Sequence, residues 1–173
     1  VEKVMLISSD KAVWPINLYG ATKLAAEKLF VASNVYSPDG RTKLSVVRYG
    51  NVIGSRGSFV ELLRLRKDGE PITITDERMT RFWIRIDQVV EVILQAIERM
   101  QGGEIFVPKM KNLSIVDVAK LLAPDAPIDL IGVRPGEKMH ETLVTQHEAP
   151  RTKDAGTMYV IRPEYESTAP TWF

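Results

Sequence analysis

VMLISSDKAVWPINLYGATK, residues 4–23, reads as a strand that runs into a helix. Val4, Leu6 and Ile7 form the short apolar run of a buried strand, which ends in polar Ser8, Ser9 and Asp10. Ligands collect at such strand ends in open α/β sheets. Pro15 breaks the chain and Asn17 is placed to cap a helix. Leu18, Ala21, Ala25, Leu29 and Ala32 then recur at helical spacing and predict its apolar stripe. Tyr19 and Lys23 lie beside that stripe, four apart, so they project from one face. An ammonium beside a phenol favours the phenolate, and such a tyrosine can take a proton from an alcohol. Taken alone, a Tyr-x-x-x-Lys pair is a weak signal that often arises by chance.

Outward from this stretch, strands alternate with helices. Ser37, Pro38, Asp39 and Gly40 give a turn signal, and Leu44 to Tyr49 reads as the next buried strand. A glycine-punctuated loop spans Gly50 to Gly57, and Ser58 with Glu61 forms a capping box opening a short helix that closes near Asp68 and Gly69. Ile72 to Thr75 predicts a short strand. Asp87 is placed to cap a strong helix carried by Val90, Ile93, Leu94, Ile97 and Met100, which Gly102 and Gly103 stop. Beyond it come a strand over Glu104–Val107, a helix from Ser114, a strand over Ile128–Val133 and a helix over Glu137–Val144. From Thr145 onward the only periodic piece is a possible strand at Met158–Ile161. The alternation predicts an α/β fold with a largely parallel sheet.

Composition narrows the class. The chain has 173 residues, 45% hydrophobic and 26% charged, enough to bury one real core. A formal net charge of +1 provides no field for nucleic acid or an anionic membrane, so any anion binding falls to local arginines. With no cysteine there is neither a disulfide framework nor a thiolate metal site, which fits a cytoplasmic compartment. No apolar run is long enough to span a bilayer, and no membrane contact is expected. The chain begins at valine within a strand, and we read it as a piece of a longer protein.

Gly50, Gly54 and Gly57 follow a strand, precede a helix and have Asp76 some way downstream, which superficially fits a dinucleotide fingerprint. The fingerprint is the weaker reading from the residues alone, and a glycine-rich surface loop is the plain alternative. His140 and His147 lack a ligand set, and no metal is expected.

A strand ending in serine followed by Tyr-x-x-x-Lys on the next helix resembles the short-chain dehydrogenase/reductase superfamily. SSDKAVWPINLYGATK, RYGNVIGSRGS, ITITDERMTRFW, GGEIFVPK and IGVRPGEKMHE together resemble one of its branches, the inverting UDP-N-acetylglucosamine 4,6-dehydratases. The resemblance runs from about residue 4 to about residue 145. It implies a partial Rossmann-like parallel sheet, lacking the amino-terminal dinucleotide half, with a smaller substrate-binding subdomain. Residues 1–52 and 86–108 would belong to the cofactor domain, and 53–85 and 109–173 to the substrate unit.

By the same resemblance Asp10, Lys11, Tyr19, Lys23 and Ser9 would be catalytic. NADP, with NAD possible, would meet Ser8, Tyr19, Lys23, Tyr49, Gly50, Asn51 and Val52. The substrate, UDP-N-acetylglucosamine, would meet Asn51, Arg56, Thr73, Thr75, Arg81, Arg134 and Glu137, with the arginines on its diphosphate. Retaining dehydratases of related type have Asp-Glu where this chain has Asp10-Lys11, which favours inversion at C5. Trp14 stands where a small polar residue is usual. The setting implied is bacterial surface or flagellar sugar synthesis in the cytoplasm by a homo-oligomer. A nucleotide-sugar epimerase, a retaining dehydratase and an inert UDP-sugar-binding fragment are the competing readings.

Overall fold

The computed structural model describes residues 1–36 and 41–164, so the turn expected at 37–40 lies outside the described residues. The chain runs through β1 (Lys3–Ser9), α1 (Leu18–Ser33), β2 (Lys43–Tyr49), β3 (Asn51–Val52), α2 (Phe59–Leu65), β4 (Ile72–Ile74) and β5 (Thr80–Ile84). It continues with α3 (Ile86–Arg99), β6 (Ile105–Pro108), β7 (Lys111–Ser114), α4 (Ile115–Leu122), β8 (Ile128–Leu130), β9 (Thr152–Asp154) and β10 (Met158–Ile161). The described residues form two compact units: 1–36, 41–49, 89–109 and 142–164, and 50–88 and 110–141.

The first unit is built on a five-stranded sheet in the order β1-β2-β6-β10-β9. β1, β2 and β6 are parallel, while β10 runs antiparallel to both β6 and β9. Alternation along β2 sorts its side chains onto two faces. Val47 meets Val92 and Ala96 of α3 together with Met100 just past its end, Phe106 and Met158. Val46, on the other face, meets Ile105, Val107 and Ile161, with Phe30 and Val31 of α1 packed alongside. A parallel sheet buried on both faces is the arrangement that such continuous apolar strands require.

The second unit holds β3-β5-β7 and the parallel pair β4-β8. Val60, Trp83 and Val118 form one small core, and Ile72, Ile74 and Ala119 another. Ser58 caps α2 as expected, its Oγ accepting the Glu61 N–H at 3.3 Å, but the Glu61 carboxylate accepts from the Gly57 N–H rather than that of Ser58, so the reciprocal half of the capping box is shifted by one residue.

Several expectations are corrected. The α1 stripe of Leu18, Ala21, Ala25, Leu29 and Ala32 faces solvent, and Gly20 and Glu27 are the buried positions of that helix. Met100, just past α3, is buried as expected, but on α3 Val90, Leu94 and Ile97 are exposed and Val89, Val92 and Ala96 take the sheet side. Asp87 does not cap α3; it pairs with Arg85, and the Gln88 side chain accepts the Arg85 N–H at 3.1 Å. No helix forms over residues 137–144, and the strand expected to reach Val133 stops at Leu130. Residues 142–164 go with the first unit rather than the substrate unit, because β10 hydrogen-bonds β6. The first unit's stretch also ends at Tyr49, not at residue 52.

Candidate functional site

At the carboxy-terminal end of β1, a single 3-10 turn over Asp10–Ala12 bends the strand. The Ser9 hydroxyl accepts the Lys11 N–H at 3.2 Å and donates to Asp10 Oδ1 at 2.9 Å. Lys11 Nζ reaches the same oxygen at 3.0 Å. On a regular strand Asp10 and Lys11 would point apart; the turn lets them meet. Asp10 is completely buried, and its Oδ2 has no hydrogen-bond partner among the described residues. The next loop passes through Trp14 at φ 45°, a left-handed conformation that costs a bulky residue about 1–3 kcal/mol. Local strain of this kind concentrates at functional sites.

Asn17 then caps α1, its side chain accepting the Gly20 N–H at 2.8 Å. This fixes the first turn, which carries Tyr19. Lys23 donates to the Ile7 carbonyl at 3.1 Å and stands 5.9 Å from the centre of the Tyr19 ring. Half of Tyr19 remains open to solvent. Tyr49, paired across the sheet with Ser9, lies close enough to Tyr19 to feel its charge. Burial, with Tyr19 adding to it, pushes the Tyr49 phenol upward.

Gly20 permits the closest approach in this region. A Cβ there would lie 2.4 Å from the Lys11 carbonyl oxygen and 2.9 Å from Pro15 Cβ. Gly20→Ala is therefore expected to cost about 1–3 kcal/mol, because the clash is with backbone that cannot rotate away. Thermal melting reads the loss; an unchanged melting temperature would contradict the packing.

Ser8, expected at a cofactor, turns the other way. Its hydroxyl is 2% exposed and donates to Glu27 at 2.6 Å, so its side chain supports the site from beneath. Beside it lies a network that the sequence reading misses. Arg48 donates Nε to Glu27 at 3.0 Å and Nη2 to Glu27 at 2.6 Å. It also gives Nη2 and Nη1 to Glu148 at 2.9 and 3.1 Å, and Nη1 to the Leu143 carbonyl at 2.7 Å. All five guanidinium N–H donors are thus used. Burial alone would lower the Arg48 pKa, but the bonds to Glu27 and Glu148 raise it on balance. Burial likewise opposes the Glu148 charge, yet Arg48 and the Thr145 N–H hold that carboxyl down at about 2. A buried arginine in β2 was itself the available signal, since such a charge must have partners.

In the second unit Thr75, Arg81 and Glu137 come together. Thr75 Oγ1 donates to Glu137 at 3.3 Å, and Arg81 Nη2 lies 3.5 Å from the same carboxylate oxygen. Arg81 is buried, and its Nη1 donates to the Thr80 and Met139 carbonyls at 2.8 and 3.1 Å. That geometry braces the 137–139 segment, which corrects the picture of Arg81 as an open clamp. Arg56, Thr73 and Arg134 are exposed. Arg78 holds Asp76 down at about 2 through a side-chain bond on the surface, beside an open hollow of about 290 Å³ that Thr75 also lines. Gly50 packs on Phe82, where a Cβ would meet the carbonyl oxygen at 2.5 Å. Asn51 and Val52 form β3 against Trp83 and Ile84. Among the described residues no acidic or histidine group could hold a metal, and no helix is long and apolar enough to cross a membrane. His140 bonds Thr80 Oγ1 through Nδ1 at 2.9 Å.

Parallel strands with polar groups at their carboxy-terminal ends, followed by a helix bearing Tyr19 and Lys23, define a Rossmann-like α/β protein. The chain belongs to the polysaccharide biosynthesis protein family, whose model matches residues 1–163. It is 46% identical over 165 residues to a UDP-N-acetylglucosamine 4,6-dehydratase (inverting) of Campylobacter jejuni, covering 94% of this chain and 49% of that one. It is 40% identical over 166 residues to a UDP-glucose 4-epimerase of Rickettsia akari, covering 93% and 49%. The X-ray structure of Pen from Bacillus thuringiensis superposes with a TM-score of 0.90 at 35% identity, over 95% of this chain and 53% of that one. The chain thus spans about half the length of the curated relatives it matches.

Proposed function

We propose that the chain is the carboxy-terminal portion of a UDP-N-acetylglucosamine 4,6-dehydratase that inverts C5. The observation that carries this reading is the grouping of Ser9, Asp10 and Lys11 in one turn, next to a helix whose Lys23 is tied back to Ile7 beside Tyr19. The 46% identity to the Campylobacter jejuni enzyme adds support.

No side chain accepts hydride, so the reaction calls for a nicotinamide dinucleotide, NADP or NAD, which takes hydride from the sugar and later returns it. Tyr19 and Lys23 fit such a group: the phenol is open to solvent at the strand ends, and the ammonium is fixed beside it. Lys23 would hold the nicotinamide ribose, with the backbone of Tyr49, Gly50, Asn51 and Val52 alongside.

Tyr19 takes the C4 hydroxyl proton, and the Ser9 hydroxyl, turned from Asp10 Oδ1 to the sugar, would hydrogen-bond the C4 oxygen. The ketone formed at C4 acidifies C5, whose proton Lys11 removes. Asp10 would act as the acid that lets the C6 hydroxyl depart as water, through Oδ2, since Lys11 engages Oδ1 and Oδ2 has no partner among the described residues. Reprotonation on the opposite face of C5, by Tyr19, inverts that centre. Asn51, Arg56 and Arg134 would hold the diphosphate, while Thr73, Thr75 and Glu137 line the nucleoside. Arg81 acts behind them by bracing Glu137. We place the reaction in bacterial cytoplasm, in a homo-oligomer, within pseudaminic acid synthesis for flagellin glycosylation.

The epimerase reading is favoured by the 40% identity to the Rickettsia akari protein. Incubating the full-length protein with UDP-N-acetylglucosamine and following the sugar by proton NMR separates the two. Dehydration predicts loss of the C6 hydroxymethyl signals and appearance of a C6 methyl. A product that keeps its hydroxymethyl and differs only at C4 would establish epimerisation instead.

A further inference from the structure

The Arg48 network lies beneath both elements that carry the proposed chemistry. Glu27 follows Lys23 by four residues on α1, and Lys23 follows Tyr19 by four, so the three stand along one side of the helix. Ser8 immediately precedes Ser9 and Asp10. The Ser8 hydroxyl and Arg48 Nε both bond Glu27 Oε1, at 2.6 and 3.0 Å. One carboxylate oxygen therefore joins the end of β1, the end of β2 and the middle of α1. Every member is sequestered, with Ser8, Glu27 and Arg48 at 2%, 1% and 2% exposure.

Glu148 closes the opposite side of Arg48. It bonds the Thr145 N–H at 2.8 Å and gives its own N–H to Thr145 Oγ1 at 3.1 Å. This half of the network secures the 143–148 segment and does not touch the end of β1. The network thus has one end under the proposed site and one end remote from it.

We propose that Ser8 and Glu27 are positioning residues: their hydrogen bond sets the spacing between the strand end bearing Ser9, Asp10 and Lys11 and the helix face bearing Tyr19 and Lys23. The assignment rests on the dehydratase reading for its catalytic consequence, but not for its geometry. Removing the Ser8 hydroxyl takes away the buried tie between the strand end and the helix, leaving the exposed Lys23 bond to the Ile7 carbonyl and all five Arg48 bonds in place. Proton transfer depends on sub-ångström placement, so turnover falls more than binding does.

The test compares Ser8→Ala with Thr145→Ala in the full-length protein, each removing one hydroxyl from the same network. Ser8→Ala is expected to lower kcat at least tenfold with the sugar KM and the NADP affinity unchanged within twofold. It should also move the Cζ resonance of Tyr19 in protein carrying ring-labelled tyrosine, assigned through Tyr19→Phe. Thr145→Ala is expected to leave kcat and that resonance unchanged, whatever it does to the melting temperature. Equal effects of the two variants on kcat, or weakened NADP binding in Ser8→Ala, would overturn the proposal in favour of general stability or a direct cofactor contact. If the protein does not dehydrate the sugar, the Tyr19 resonance still decides. A shift with Ser8→Ala alone keeps the positioning role although the dehydratase reading fails, and no shift refutes it.

Discussion

Arg48→Met is expected to lower folding stability by about 3–5 kcal/mol, the usual result of removing one partner from a buried ion pair. Two carboxylates, Glu27 and Glu148, now share one guanidinium inside the first unit. Methionine keeps most of the volume but none of the five donors, so both acids lose their compensating charge and the Leu143 carbonyl loses its partner. Denaturant unfolding measures the loss, and a change under about 1 kcal/mol would contradict the network. The pH dependence carries a sign as well. Glu148 titrates near 2 when folded against an ordinary 4.5, so its contribution is fully present above 4.5 and disappears as pH falls toward 2. In Arg48→Met only the Thr145 bonds still hold the Glu148 carboxyl down against burial, so the loss of stability on acidification should shrink.

Tyr19→Phe is expected to reduce kcat of the full-length protein by about 10²–10⁴, the range for losing a general base. The ring, its contact with Lys23 and the Asn17 cap are all retained, so cofactor affinity and melting temperature should hold. Tyr49 offers no substitute even though it lies nearby. Its phenol is pushed upward chiefly by burial, which the substitution leaves in place, away from the ionised form a base requires. Steady-state kinetics with a parallel NADP titration reads both quantities. Activity within tenfold of the parent would remove Tyr19 from the proposed role.

Much of this was legible in the sequence because it is local. The Asn17 and Ser58 caps and the strands β1 and β2 are set by neighbouring residues, and the structure keeps them, although β1 lies at the sheet edge with Ile7 exposed rather than buried. The phases of α1 and α3 were not legible. Both helices are apolar on more than one side: α1 exposes Leu18 and Leu29 while packing Phe30 and Val31, and α3 exposes Val90 and Leu94 while burying Val89 and Val92. Periodicity finds a stripe in such helices but not which stripe meets the sheet. Likewise β5 and β7 are short strands whose pairing joins residues some thirty apart, such as Arg81 and Leu113. No local pattern announces such pairing.

The candidate site divides in the same way. Tyr19 and Lys23 were readable from spacing, Asp10 and Lys11 from the family resemblance; the structure brings Asp10 and Lys11 together with Ser9 and ties Lys23 to the Ile7 carbonyl beside Tyr19. Ser8 and Arg81 were assigned to ligands, and the structure gives their polar atoms protein partners instead. Their residue types suit either role, and only burial decides between them. Glu27 and Glu148 stand 21 and 100 residues from the Arg48 they hold, beyond any motif.

The most direct measurement is to run the full-length protein with UDP-N-acetylglucosamine in deuterated water and read C5 of the 4-keto-6-deoxy product by NMR. Removal of the C5 proton by Lys11 and its return from the other face predict one deuterium at C5 and an inverted centre. A product whose C5 keeps its original configuration would contradict the account.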